Sequence, residues 1–181
     1  KMHYDWAKLA RYDQKNKEVV IDQNKDRVVF MGNSITEGWK NKMPDMFDNQ
    51  TFINRGISGQ TSPQMLVRFR SDVIELKPNV VVILAGTNDI AGNTPLKDLE
   101  TVTGNLASMA ELARHHEIKV ILCSVLPASN YPWRPKKNPH TQIPILNQLI
   151  KDYAEKEGFY YLDYFSSMTD GKNGLKENYG N

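Results

Sequence analysis

Three short polar segments each follow an apolar run in this sequence, and each carries a residue type used in acyl-transfer chemistry. The first segment ends in Ser34, the second contains Gly56, and the third contains Asn88. A serine hydroxyl can attack a carbonyl carbon, and backbone N–H groups or an asparagine amide can hydrogen-bond the oxyanion that then forms. The three segments together are typical of a serine nucleophile with an oxyanion hole.

Each segment also has a purely structural interpretation. Ser34 could cap the following helix, Gly56 could supply a positive φ angle, and Asn88 with Asp89 could cap a turn. All three segments occur in order, and each comes directly after an apolar run. This combination favours the catalytic interpretation. We therefore expect Ser34 to be the nucleophile, with the N–H groups of Ser34 and Gly56 and the amide of Asn88 as oxyanion donors.

The elements between the motifs alternate between strands and helices. Apolar runs predict five strands, at residues 27–31, 51–54, 80–85, 118–125 and 159–162. Apolar residues at helical spacing predict helices around them; the first covers residues 5–20, and a later one begins with Leu96. Continuously apolar strands are typical of a parallel sheet covered on both faces. We predict an α/β fold, a three-layer α/β/α sandwich whose mostly parallel sheet brings the three motifs to one edge.

Composition excludes several other classes of protein. The chain has 181 residues, which suits one domain over residues 1–181. Its net charge of +2 and its lack of a basic stripe argue against a nucleic-acid partner. No apolar run approaches the roughly 20 residues of a membrane span. The single cysteine, Cys123, cannot form an internal disulfide, and no histidine and carboxylate cluster has metal-ligand spacing. We expect no metal and no cofactor.

The motifs resemble those of the SGNH/GDSL hydrolase family, specifically its bacterial acylhydrolases. The first block is Gly32-Asn33-Ser34-Ile35-Thr36, with Asn33 where the commoner family form has aspartate; the second is residues 54–59, matched by Gly56; and the third is residues 86–89. The resemblance spans residues 27–165 in spacing and order. It implies a flavodoxin-like sandwich, an acyl-serine intermediate on Ser34, and an oxyanion hole from Ser34, Gly56 and Asn88.

The family's last block, Asp-x-x-His, supplies the general base and the carboxylate that orients it, and it has no counterpart here. No histidine follows His140, and Asn173 stands where the histidine of Asp170–Asn173 would be needed. The helix that normally covers a last parallel strand is also missing from the pattern. We expect the domain to be truncated, with this block beyond Asn181. His140 follows the fourth strand at the same sheet edge as Ser34; its sequence context favours a plain loop histidine, then a residue that lines the cleft, and last a replacement for the base.

The resemblance implies a small-molecule ester substrate: an acetyl or other short acyl group on carbohydrate or lipid. Candidate substrate-binding residues are Asn33, Arg55, Trp133 and Arg134, together with Gln60. A role as ordinary exposed-loop residues accounts equally well for all of these except Asn33. Two alternatives stay open, namely a binding module of the same fold that has lost its base and a flavodoxin-like cofactor carrier. The oligomeric state is open. So is the location, with a bacterial periplasm or secretion preferred to the cytoplasm.

Overall fold

A five-stranded sheet forms the centre of the molecule. The computed structural model describes residues 4–22, 26–48, 51–95 and 97–179. The strands are β1 (Val28–Gly32), β2 (Phe52–Gly56), β3 (Val80–Leu84), β4 (Lys119–Cys123) and β5 (Tyr160–Leu162). Their order is β2-β1-β3-β4-β5, and every neighbouring pair is parallel. The predicted flavodoxin-like α/β fold is confirmed.

Helices follow the strands and cover both faces of the sheet. In the described residues they are α1 (Asp13–Lys17), α2 (Ser34–Lys42), α3 (Pro44–Phe47), α4 (Ser62–Asp72), α5 (Thr87–Ile90), α6 (Leu99–His115), α7 (Pro139–Glu157) and α8 (Tyr164–Met168). None of the helices in these ranges is long and apolar enough to cross a membrane. Leu96, predicted to begin the long helix, lies outside the described residues.

Alternating strand residues build two separate cores. Val29 and Met31 of β1 face the larger core, which α4, α6 and α7 complete. Phe30 of β1 faces the smaller core with Val82 and Leu84, against α2 and α3. Successive side chains of a strand point to opposite faces of the sheet, so a strand that is apolar at every position buries side chains on both faces. This arrangement is the predicted three-layer sandwich.

The N-terminal segment departs from the prediction of one helix over residues 5–20. It forms a 3₁₀ turn at Leu9–Arg11 and then the short α1, with Tyr12 between them in a non-helical conformation. Tyr12 is buried, its hydroxyl donates to the carbonyl of Gly56, and its ring lies under the guanidinium of Arg55. Docking of this one side chain against β2 therefore interrupts the helix.

Candidate functional site

Ser34 is the first residue of α2, immediately beyond the carboxyl end of β1, and it is exposed. Asn33 precedes it as the N-cap, with Oδ1 accepting a hydrogen bond from the N–H of Ile35 at 3.0 Å. The turn is tight, since a Cβ at Gly32 would lie 2.0 Å from Oγ1 of Thr36. Asn33 is buried, and its side chain caps the start of α2, a role that an aspartate could also fill. The geometry presents the Ser34 hydroxyl at a helix N-terminus.

Gly56 lies behind this helix start. Its N–H donates to Oδ1 of Asn54 at 2.9 Å, so this donor already has an acceptor. A Cβ at Gly56 would lie 2.2 Å from the backbone nitrogen of Glu37 and 2.8 Å from the carbonyl oxygen of Asn33. Glycine is therefore needed for β2 to approach α2 closely. The structure gives Gly56 a packing role and gives its N–H a partner other than substrate.

Gly59, which is not among the predicted site residues, is a glycine of the same segment whose backbone N–H donor is free. It is exposed, has φ +80°, and its N–H meets no acceptor in the described ranges. The next residue, Gln60, accepts a hydrogen bond on its carbonyl from Nδ2 of Asn88 at 2.9 Å. The sequence signal was present: a second glycine stands three residues before α4 begins at Ser62, in a loop where a positive φ is common.

Asn88 and Asp89 begin a short helix after β3, and both are buried. An asparagine amide has two N–H donors, and that of Asn88 has one directed to Gln60. Asp89 accepts hydrogen bonds from the N–H of Ser62 at 3.0 Å and from its hydroxyl at 2.6 Å. Burial raises the pKa of the Asp89 carboxyl. Asp89 thus anchors the start of α4, and the amide of Asn88 is held against Gln60, the residue that follows Gly59.

Glu37 links the Gly59 loop to the nucleophile helix. Its Oε2 accepts from the N–H of Ser58 at 2.8 Å and from the Ser58 hydroxyl at 2.5 Å, while its Oε1 pairs with Arg11 at 3.1 Å. Burial alone would raise the pKa of Glu37, but the hydrogen bonds from Ser58 and Arg11 hold it below its ordinary value. The loop that carries Gly59 is therefore held one turn from Ser34.

Three of the predicted substrate-binding residues lie in two different places: Arg55 is in β2, whereas Trp133 and Arg134 are in the loop between β4 and α7. Arg55 is buried: Nε donates to Asn16 at 2.8 Å, Nη1 to the carbonyl of Asn54 at 2.9 Å, and Nη2 has no hydrogen-bond partner. Trp133 is 57% exposed and stacks on Tyr131 at 5.1 Å between ring centroids. Arg134 is exposed in the same loop.

A groove of about 510 Å³ opens beside the nucleophile. Ser34, Glu37, Arg55 and Ser58 line it, and Trp133 and Arg134 do not. Its remaining lining comes from the N-terminal segment, α2, Phe47 and β2, and includes Arg11, Tyr12, Lys15, Glu18, Lys40 and Asn41. The structure therefore brings Ser34 and Arg55 to one groove, with the N-terminal segment as its opposite wall.

None of the histidines in the described part of the chain bonds to Ser34. His115 and His116 end α6, which leads into the amino end of β4, at the sheet edge opposite Ser34. His140 is exposed in the first turn of α7, and its carbonyl accepts from Asn173. His3 lies outside the described residues. Across those same ranges, no three histidine, cysteine or acidic side chains group in the way a metal site requires.

The family of this protein follows from comparison with known proteins. The model of the GDSL-like lipase/acylhydrolase family matches residues 30–181. The chain belongs to this family. Within it, a GDSL-like lipase from Bacteroides thetaiotaomicron is 47% identical, with a TM-score of 0.92 over 97% of this chain and 87% of that one. A proposed acylhydrolase from Bacteroides fragilis is 50% identical, with a TM-score of 0.94 over 99% and 88%.

Two curated relatives are longer proteins. Esterase TesA of Pseudomonas aeruginosa is 34% identical over 106 residues, which is 56% of this chain and 51% of TesA. The uncharacterized lipoprotein YqeF of Bacillus subtilis is 38% identical over 132 residues, which is 71% of this chain and 46% of YqeF. The chain spans about half the length of these two relatives. The predicted family is confirmed.

Proposed function

We propose that this GDSL-family protein is a serine ester hydrolase that removes a short acyl group, acetyl in the simplest case, from a carbohydrate or lipid ester. The observation that carries the proposal is the exposed Ser34 at the start of α2, together with the acceptor-free N–H of Gly59 in the loop after β2 and the amide of Asn88 in α5. The catalytic unit is one domain. The esterase TesA among its relatives supports the reaction class.

The reaction proceeds in two steps. Ser34 Oγ attacks the ester carbonyl carbon and gives up its proton, and the oxyanion accepts hydrogen bonds from Ser34 N–H, Gly59 N–H and Asn88 Nδ2. The ester C–O bond then breaks, the alcohol leaves with a proton, and water hydrolyses the acyl-Ser34. Each such donor typically lowers the activation barrier by about 2.7–4 kcal/mol. Gly59 takes the place predicted for Gly56, because the Gly56 N–H is bonded to Asn54.

A base must receive the Ser34 proton, because a serine hydroxyl alone is a weak nucleophile. The family resemblance implies an imidazole from an Asp-x-x-His block, which would lie outside the described residues. His140 is the alternative among the described residues. Activity that survives His140→Ala in the protein would assign the base elsewhere, and loss of activity would assign it to His140.

The groove beside Ser34 offers space for the alcohol part of the ester. Lys15 and Lys40 line this groove and make no ion pair in the described ranges. The carboxylate of Glu37 already pairs with Arg11 and accepts hydrogen bonds from Ser58. Polar walls of this kind suit a hydroxyl-rich alcohol such as a carbohydrate. A periplasmic or secreted location is part of the proposal, and the lipoprotein among the relatives supports it.

Hydrolysis of p-nitrophenyl acetate and p-nitrophenyl butyrate tests the proposal. We expect turnover by the protein, and a fall in kcat of at least about 1,000-fold in Ser34→Ala, because the nucleophile is removed. Ser108→Ala is the matched control, since it deletes the hydroxyl of a half-buried serine in α6 that donates to the carbonyl of Gly104. Equal rates for the protein and Ser34→Ala would overturn the proposal and favour a binding module that keeps the cleft.

A further inference from the structure

Arg68 of α4 is a fully buried cation between the carboxyl ends of β1 and β2, with 0% of its side chain exposed. Its Nη2 donates to the carbonyl of Arg55 at 2.7 Å and to that of Gly32 at 3.2 Å. Gly32 comes two residues before Ser34, and Arg55 four before Gly59. One guanidinium nitrogen therefore joins the two strand ends from which the nucleophile turn and the Gly59 loop emerge.

The same guanidinium reaches the third motif through Gln60. Nε of Arg68 donates to Oε1 of Gln60 at 2.5 Å. Gln60 directly follows Gly59, and its carbonyl accepts the hydrogen bond from Asn88. Arg68 is thus hydrogen-bonded directly to the segments that carry Ser34 and Gly59. It is linked to Asn88 through a single intermediate residue, Gln60.

The side chain is costly to bury and is held in one orientation. Nη1 of Arg68 pairs at 2.8 Å with Asp72, which is also 0% exposed and accepts a further hydrogen bond from Asn16 at 2.8 Å. An apolar residue would fill such a site at a lower desolvation cost than an ion pair. What an apolar residue cannot supply is a planar fork of donors that bonds several carbonyls at defined angles. The arrangement is suited to setting geometry rather than to adding stability.

We infer that Arg68 is a positioning residue for the oxyanion site, aligning the start of α2, the Gly59 loop and Asn88 with one another. It touches neither the nucleophile nor the space in front of it, and it acts through Gly32, Arg55 and Gln60. This inference rests on the proposed function for its catalytic consequence. Its structural part, the coupling of the three segments, stands independently of that function.

The chain contains a matched control at the other end of the sheet. Arg27 precedes β1 and is also buried, and it likewise uses its guanidinium to hold backbone carbonyls. Its Nη1 donates to Leu76 at 2.9 Å and its Nη2 to Val20 at 2.7 Å. Arg27→Met therefore removes a buried arginine clamp from the amino edge, far along the sheet from Ser34.

Steady-state kinetics of Arg68→Met and Arg27→Met on p-nitrophenyl acetate test the inference, at a temperature where melting curves show both variants folded. We expect Arg68→Met to lower kcat about 100-fold with KM changed less than threefold, as misplaced donors act on the transition state. Arg27→Met should keep kcat within threefold. If Arg68→Met does not fold, Gln60→Met replaces it, with an expected loss in kcat of about tenfold at unchanged KM.

Hydrogen–deuterium exchange gives a readout that does not need activity. Arg68→Met should speed exchange in residues 32–37 and 56–61, whereas Arg27→Met should speed it around residues 74–80. Equal losses of kcat in the two arginine variants, or unchanged exchange at residues 56–61 in Arg68→Met, would overturn the inference. If the protein itself hydrolyses no ester, the proposed function fails, and exchange alone then decides the positioning role.

Discussion

Replacement of Gly56 by alanine should displace the nucleophile helix without touching the nucleophile. The added Cβ would lie 2.2 Å from the nitrogen of Glu37, 2.7 Å from the carbonyl carbon of Thr36 and 2.8 Å from the carbonyl oxygen of Asn33. All three are backbone atoms of the turn and helix that carry Ser34, so no side chain can rotate away. The clash can be relieved only if β2 and α2 move apart.

The size of that movement follows from the contact distances. Ordinary van der Waals contact begins at 3.4 Å, so the Glu37 contact requires α2 to retreat by about 1 Å. Overpacking of this kind costs about 1–3 kcal/mol in the free energy of unfolding. A misplacement of about 1 Å in a catalytic group can cost on the order of 100-fold in rate. We expect both losses in Gly56→Ala.

Urea unfolding and kcat/KM on p-nitrophenyl acetate measure the two losses separately. Gly104→Ala is the control, because a Cβ there meets nothing within 4 Å on the outside of α6. It should leave kcat/KM unchanged and stabilise the protein by about 0.5–1 kcal/mol, through better helix propensity. A Gly56→Ala variant with native stability and native kcat/KM would refute the reasoning that β2 and α2 are in unavoidable contact at this point.

Two further predictions concern ionisable groups. Hydrogen bonds from Ser58 and Arg11 outweigh burial and hold the pKa of Glu37 below its ordinary 4.5, so its stabilising contribution is present above that pH and is lost as the pH falls through the lowered value. Melting temperatures between pH 5 and pH 3 should therefore fall less steeply in Glu37→Gln, and identical slopes would contradict this. Burial raises the pKa of Cys123 to about 12, so its thiol should resist a disulfide reagent at pH 8 until urea unfolds the chain. Rapid stoichiometric reaction of the native protein would show that the thiol is accessible.

The sheet and its motif-bearing edge could be predicted because their signals are local. Runs such as residues 80–85 are apolar at every position, and a strand buried on both faces of a parallel sheet has that pattern. The same pattern predicts the positions of Ser34 and Asn88, since both follow such strands closely. The predicted strands agree with the observed ones to within a few residues at each end.

The choice between Gly56 and Gly59 could not be read from the sequence. Which N–H is free depends on the side chain of Asn54, which accepts from Gly56. The role of Arg68 could not be predicted for a related reason. An arginine on an amphipathic helix is expected to face solvent, and the carbonyl groups that accept its hydrogen bonds in the interior belong to β1 and β2. Tyr12 interrupts the first helix through a contact 44 residues away. These features depend on tertiary contacts, which helical and strand periodicity do not record.

Covalent labelling of the intact protein by a fluorophosphonate is the most direct test of the central claim, that Ser34 is an activated nucleophile. The reagent phosphonylates a serine only when a base and oxyanion donors assist its attack. The account predicts one adduct per chain, on the peptide that contains Ser34, and no adduct in Ser34→Ala. An unlabelled protein, or an adduct on Ser58 or Ser62 in place of Ser34, would contradict it.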